Sequence, residues 1–360
     1  MAMRRTEMIL LGVVSGLLCL GLLMVYNASS IKAFHLNGDS GFYLGRQLVY
    51  ACLGGSLLFF AARIDYHWWQ RLRFLVLLGG LALLVLVLVP GFGHQVKGAT
   101  RWIRTPLFNL QASEFAKLSF VVYLAACLER KGEAIRELKR GLLPIFLVFG
   151  IFATLLMLEP DFGSCVVLGI MTLVLTFVAG ARMQHFLGMS LTALVLVVPA
   201  VVAKGYRLQR LTSFLTLTGK GAYQLKQSLI AYGTGGLYGV GAGNSAQKLY
   251  YLPEAYTDFI VAVWAEEFGF VGVVVLVALI FGLLFVGLKI ARSAPDRFGE
   301  LLAGGLTLFL VLQMTINFWV TLGLLPTKGL TFPFLSYGGS SLCASLAAVG
   351  VLLNVARQTD

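Results

Sequence analysis

The chain has 360 residues, of which 58% are hydrophobic and only 12% are charged. A soluble domain carries about 25% charged residues, so the soluble-enzyme classes drop out and an integral membrane protein is implied. In such a chain a net charge of +12 marks cytoplasmic loops, anionic lipid or an anionic substrate rather than nucleic acid.

A bilayer core needs about 20 apolar residues per helix. In chain order the apolar runs predict ten spans, at roughly 8–28, 45–62, 73–90, 113–128, 142–159, 164–181, 185–203, 259–288, 301–323 and 340–356. The first follows Arg4 and Arg5 and imitates a signal peptide, but its length and the nine later spans favour a retained anchor. The predicted class is therefore an all-α polytopic membrane protein, one domain over residues 1–360, with a long extracytoplasmic loop at 204–258 between spans seven and eight. Both tails and the even-numbered loops share one side. Those loops are short and basic (Arg63, Arg71; Arg130, Lys131, Arg136, Lys139, Arg140; Arg182; Lys289, Arg292, Arg297), which makes that side cytoplasmic. The Gly/Pro-rich odd loops then face outward, and any chemistry is expected there.

Loop three runs Lys97-Gly-Ala-Thr-Arg101-Trp102-Ile-Arg104 and leads to Gln111-Ala-Ser113-Glu114-Phe-Ala-Lys117. Glu114 and Lys117 share a helix face, and Ser113 is an expected cap with Gln111 beside it. Two readings fit: an interfacial Trp/Arg anchor with a local ion pair, or a cationic pocket for pyrophosphate. In the second, Arg101 supplies a planar fork and Lys117 a point charge. Glu159-Pro-Asp161-Phe-Gly163, between spans five and six, reads as a solvated turn with a helix cap rather than a metal or proton site.

Loop seven has about 55 residues, which is long for a plain connector. It holds Tyr206-Arg207-Leu-Gln-Arg210 and a short amphipathic helix near 224–232. The glycine run 233–243 follows, a flexible hinge, a tight packing segment or an anion-binding nest, and then Asn244-Ser245-Ala-Gln-Lys248. The loop ends on Asp258, at the mouth of the eighth span, where an acid costs ~2.5 kcal/mol or more if it sits deep. With Glu254 and Thr257 it fits a helix cap; partly desolvated, it fits a general base. Glu266 and Glu267 lie inside the span and must face protein or a water-filled cavity. Loop nine, Leu325 to Ser341, carries two prolines, Lys328, Ser336 and Gly338-Gly339-Ser-Ser. It reads as a re-entrant plug or as a polar wall beside Asp258.

The five cysteines (Cys19, Cys52, Cys127, Cys165, Cys343) stand singly in apolar segments and the histidines are isolated, so spacing requires no disulfide, metal or cofactor. A divalent cation stays compatible with pyrophosphate chemistry.

Gly98-Ala-Thr-Arg-Trp-Ile, Gln111-Ala-Ser-Glu-Phe-Ala-Lys117, Glu159-Pro-Asp-Phe-Gly, Leu252 to Ile260 and Leu325 to Ser341 resemble, in order and over nearly the whole chain, the SEDS family (shape, elongation, division and sporulation). Gly243 to Lys248 and Leu325 to Thr331 are more similar to its division member than to its elongation member. Two positions depart: Ala112 replaces the usual proline, and Tyr256 the usual histidine, which puts in doubt any histidine relay beside Asp258. The resemblance implies an inverting peptidoglycan glycosyltransferase that polymerises lipid II, with Asp258 as general base. It further implies a class B penicillin-binding transpeptidase and other divisome proteins as partners. The expected place is the bacterial cytoplasmic (inner) membrane, with both termini cytoplasmic and the site extracytoplasmic. Charge and side assign Arg101, Lys117, Arg207, Arg210 and Lys248 to the leaving pyrophosphate; Glu114, Lys328 and Ser336 complete the expected substrate-binding set. A lipid II flippase or transporter, an elongation-type polymerase and a scaffold that only recruits an enzyme are the alternatives. Ten spans with broken helices suit transport as well.

Overall fold

The structure, a computed structural model, describes residues 5–96, 99–104, 109–202 and 205–358. Each predicted span coincides with one helix. In chain order these are α1 (Arg5–Asn37), α2 (Phe42–Arg63), α4 (Arg73–Leu88), α5 (Ala112–Lys131), α6 (Leu143–Leu158), α7 (Phe162–Val178), α8 (Met183–Val202), α11 (Ile260–Ser293), α12 (Arg297–Thr321) and α13 (Gly339–Arg357). A one-turn helix, α3 (His67–Arg71), links α2 to α4.

The all-α expectation misses one small sheet. Loop three folds into β1 (Gly93–Val96), β2 (Ala99–Arg104) and β3 (Asn109–Gln111), antiparallel in that order, with His94 opposite Trp102 and Trp102 opposite Gln111. Ser340, in the first turn of α13, holds its edge: its hydroxyl accepts from the Gln111 N–H (2.8 Å) and donates to the Asn109 carbonyl (3.3 Å).

The core lies where α5, α12 and α13 meet, around Phe120, Leu124, Leu306, Phe309, Leu310, Val349 and Leu353. Leu23, Leu75, Leu147 and Phe285 project outward from the surrounding helices, as lipid-facing side chains do. A glycine seam joins α2 to α13. A Cβ on Gly54 would sit 2.6 Å from Leu346 Cδ1, one on Gly350 2.4 Å from the Leu58 carbonyl oxygen, and one on Gly339 2.7 Å from the Tyr50 ring.

The predicted long loop is largely helical. It holds α9 (Gly205–Thr216) and α10 (Lys220–Gly235), the second extending the expected 224–232 piece at both ends. α10 packs on α11 and is tied to α12 by Ser228 Oγ, which donates to the Thr321 carbonyl at 2.7 Å.

The glycine run has a structural job. α11 breaks at Gly269 (φ +62°, ψ −160°), which removes the helical bonds from residues 270 and 271 back to 266 and 267. All four groups find partners in the run. Val240 N–H and Gly241 N–H donate to the carbonyls of Glu266 (3.0 Å) and Glu267 (3.1 Å), while Phe270 N–H and Val271 N–H donate to Gly236 (2.9 Å) and Leu237 (3.1 Å). The two glutamate side chains lock the next stretch. Glu266 accepts from Ser245 Oγ, Ala246 N–H (3.3 Å) and Gln247 N–H (3.2 Å); Glu267 accepts from Asn27 and from Lys248 Nζ (2.9 Å).

β2 reaches the turn between α6 and α7 through Arg101, whose guanidinium donates to the carbonyls of Glu159 (3.2 Å) and Pro160. Asp161 caps α7 as expected, accepting from Ser164 N–H (3.2 Å) and Oγ (2.8 Å). Burial opposes ionisation of Asp161, but Arg101, Lys117 and the Ser164 bonds outweigh it and hold its pKa below the usual carboxylate range. Glu159 is fully buried and Asp161 nearly so, which corrects the expected solvated turn, and among the described residues neither Glu159 carboxyl oxygen has a hydrogen-bond partner. Burial first and the neighbouring Asp161 second push its pKa up to about 9, against the pull of Arg101.

Two predictions follow from these contacts. Between the unfolded value near ~4.3 and about 9 the folded chain keeps a proton on Glu159 that the unfolded chain releases, so this group erodes stability as pH rises through that window. Glu159→Gln in detergent should melt at least ~3 °C higher than the unaltered chain at pH 8.5, with the gap closing toward pH 5; a pH-independent gap contradicts the neutral acid. Gly239 has φ +81°, and a Cβ there would lie 2.1 Å from the Glu267 carbonyl oxygen. Gly239→Ala should lose at least ~1–3 kcal/mol from backbone strain alone, read as a lower melting temperature. Gly233→Ala, with open space around it, is the neutral comparison.

Candidate functional site

Asp258 does not hold the N-cap position of α11. Phe259 holds it, without a side-chain capping bond of its own. Residues 254–259 form a tight turn in which the Glu254 carbonyl accepts from Thr257 N–H and Phe259 N–H, both at 3.2 Å. Three successive carbonyls of that turn are then held from outside it. Tyr256 O accepts from Tyr337 N–H (2.9 Å), Thr257 O from Ser336 Oγ (2.6 Å) and Asp258 O from Asn317 Nδ2 (2.9 Å). Such over-determination fixes where the Asp258 side chain starts from. Its carboxylate lies against Gly329: a Cβ there would come within 3.2 Å of Oδ2. Asp258 itself is half-buried.

Loop nine therefore packs on Asp258, and it does so at membrane depth. A Cβ on Gly21, midway along α1, would lie 2.0 Å from the Phe334 carbonyl oxygen. Irregular backbone there needs internal partners, and it has them. Ser336 Oγ accepts from Phe332 N–H (2.9 Å), and the Asn317 amide donates to the Leu330 carbonyl (2.5 Å) as well as to Asp258. Ser336 thus joins the two segments.

One turn away on α12, Gln313 Oε1 accepts from Lys117 Nζ (2.5 Å), which also pairs with Glu114 Oε1 at 2.8 Å. Both charged side chains are almost completely buried, and Glu114 Oε2 has no hydrogen-bond partner. Ser113 does not cap α5: Gln111 holds the N-cap position without a side-chain bond, and Ser113 is buried in the first turn, where it accepts from Gln111 Nε2 at 3.2 Å. Gln313 and Asn317 were not singled out in the sequence. Their signal was an amide pair four apart in an otherwise apolar span, continued by Thr321.

The other expected cations separate into two groups. Arg101 sits at the Glu159 turn, Lys328 Nζ lies 4.7 Å from the Phe162 ring centroid, and Arg210 on α9 donates to the Thr327 carbonyl at 3.3 Å. These groups flank the Asp161 turn and loop nine. Lys248 lies elsewhere, its side chain 6% exposed and its ammonium spent on Glu267, Asn27 and the Gly243 carbonyl. A charge neutralised inside the protein has little left for a ligand. The Arg207 side chain lies outside the described residues. Among the described residues no cluster of three or more His, Cys, Asp or Glu side chains could hold a metal ion.

The family profile described as "Cell cycle protein", that of the FtsW, RodA and SpoVE proteins, matches residues 7–360. The chain is 45% identical to the "Probable peptidoglycan glycosyltransferase FtsW" of Trichlorobacter lovleyi, over 97% of this chain and 92% of the relative. It is 43% identical to the "Stage V sporulation protein E" of Bacillus subtilis, over 95% and 94%. Among solved structures it superposes with TM-score 0.81 at 32% identity on a chain from "Structural coordination of polymerization and crosslinking by a peptidoglycan synthase complex", covering 97% of this chain and 96% of that one. Thermus thermophilus RodA gives 0.71 at 29% identity, over 97% and 96%. With a profile that spans residues 7–360 and relatives more than 40% identical over almost the whole chain, the chain belongs to the FtsW/RodA/SpoVE family of cell cycle proteins.

Proposed function

We propose that this chain is a peptidoglycan glycosyltransferase that polymerises lipid II on the extracytoplasmic face of the bacterial inner membrane, with Asp258 as general base. The relatives named above as glycosyltransferases support the activity, and the basic even loops support the orientation. The observation that carries the site is the triple clamp on carbonyls 256–258, which holds one half-buried carboxylate beside Lys328-Gly329. In this reading Asp258 takes the proton from the C4 hydroxyl of the acceptor sugar. That oxygen attacks the anomeric carbon of the donor with inversion, and undecaprenyl pyrophosphate leaves. Lys328, Arg210 and Arg101 supply the positive field for the departing diphosphate. Lys117 serves by balancing Glu114 and holding Gln313, and Lys248 by bracing α11. A crosslinking partner of the class B penicillin-binding type fits the synthase complex in which a structural relative was solved. Identity to FtsW proteins favours division over elongation. The broken α11 also suits a lipid flippase; polymer formed in detergent, where transport has no meaning, decides between them.

A general base contributes typically ~10²–10⁴ in rate, so Asp258→Asn should fold, melt like the unaltered chain and make almost no glycan from lipid II in detergent. Normal polymer from it removes the base. Asn317→Leu should lower kcat by roughly 10²-fold through misplacement of the base, with KM changed far less; a pure KM effect would deny the positioning role. Lys117→Ala strands Glu114 and should destabilise by ~3–5 kcal/mol. Lys117→Met with Glu114→Gln should recover most of that melting temperature, and equal losses in the single and the double variant would show that the pair is not the cause.

A further inference from the structure

Three tyrosines from three separate segments meet within a few residues of Asp258. Tyr43 opens α2, Tyr256 lies in the turn before α11, and Tyr337 ends loop nine. Ring centroids are 4.8 Å apart for Tyr43–Tyr256, 5.2 Å for Tyr43–Tyr337 and 5.8 Å for Tyr256–Tyr337. Tyr256 is buried and forms the floor, while Tyr43 and Tyr337 are half-buried and keep part of their surface open. The Tyr337 N–H to Tyr256 carbonyl bond fixes the floor to the wall. Two cations border the rings. Lys32 Nζ, near the end of α1, stands 4.9 Å from the Tyr256 ring centroid and 3.4 Å from its hydroxyl. Arg46, exposed on α2, packs 4.5 Å from the Phe42 ring centroid, and its charge acts on Tyr337. Neither cation forms an ion pair with a carboxylate among the described residues, although Glu254 acts on Tyr256 from nearby.

An aromatic belt that only anchors a protein in the interface is spread around its girth. Here the rings converge on one spot and carry at their rim two cations that no carboxylate among the described residues pairs with. Flat aromatic faces with a few polar groups suit a sugar ring, and lysine and arginine suit carboxylates. We propose that this box is a saccharide subsite that holds an N-acetylated sugar of the acceptor strand and the carboxylates of its peptide stem. The proposal rests on the polymerase reading above and specifies which side of Asp258 the acceptor occupies. In an inverting displacement the nucleophile and the leaving group lie on opposite sides of the reacting carbon. Lys328 packs on Phe162 of α7, and Arg210 and Arg101 come with α9 and β2. On the box side Lys32 comes with α1, and Tyr43 and Arg46 with α2. The acceptor side therefore falls to the box, and the base belongs on that side.

The test uses the whole chain in detergent and a soluble probe, the lipid-free disaccharide-pentapeptide, titrated directly by calorimetry. Polymerisation of lipid II is measured separately on the same preparation. The unaltered chain should bind the probe, and Tyr43→Ala and the double variant Lys32→Gln/Arg46→Gln should each weaken binding at least fivefold. Tyr43→Trp, which keeps a flat face, should retain it. Melting temperatures accompany every variant, and Arg46→Gln, at an exposed position, reports even if Tyr43→Ala fails to fold. Probe binding unchanged in the double variant overturns the subsite, even with polymerisation intact. Binding of phosphatidylglycerol at these residues without binding of the disaccharide-peptide also overturns it, making the box a lipid headgroup site. Loss of the polymerase reading has a different signature: no glycan from the unaltered chain, whatever the probe does.

Discussion

Backbone groups removed from water must find partners, and that requirement shapes this structure wherever a helix stops inside the bundle. α11 stops at Gly269, and the glycine run 236–241 replaces the two lost helical bonds group for group. The same rule acts at the turn before α11, where carbonyls 256, 257 and 258 each take a donor from loop nine or α12. Broken helix and Asp258 turn are thus two results of one constraint. Gly235, Gly239 and Gly269 stand where close backbone approach leaves no room for a Cβ.

Charge is handled the same way. Glu114 and Lys117 neutralise each other, Glu267 neutralises Lys248, and Glu159 avoids the problem by keeping its proton. Gln313 and Asn317 connect the first of these pairs to the Asp258 turn along one face of α12. The distance between Lys117 and the Asp258 backbone is therefore set by a single rigid helix rather than by loops.

Hydrophobic periodicity carried most of the fold. All ten spans lie on helices, because twenty-residue apolar runs have one stable form in hydrocarbon. The small sheet was not legible, since strands of three to six residues in a polar loop leave little pattern. At the site, Asp258 and loop nine stood out as an acid and irregular backbone at membrane depth. The fate of Lys248 could not be read, because Glu267 is nineteen positions away and the two meet only once α11 has broken. Ser113 shows the opposite error: its spacing fitted a cap, but burial of the first turn of α5 turned its hydroxyl inward.

The seam between α2 and α13 has a consequence for lipid tails on this flank. Gly350 lets the Leu58 backbone approach to contact, and Gly54 and Gly339 leave room for the Leu346 and Tyr50 side chains. Two helices in such contact leave no crevice wide enough for a hydrocarbon chain to wedge between them. A tail of the surrounding bilayer is thereby kept from entering the bundle between α2 and α13.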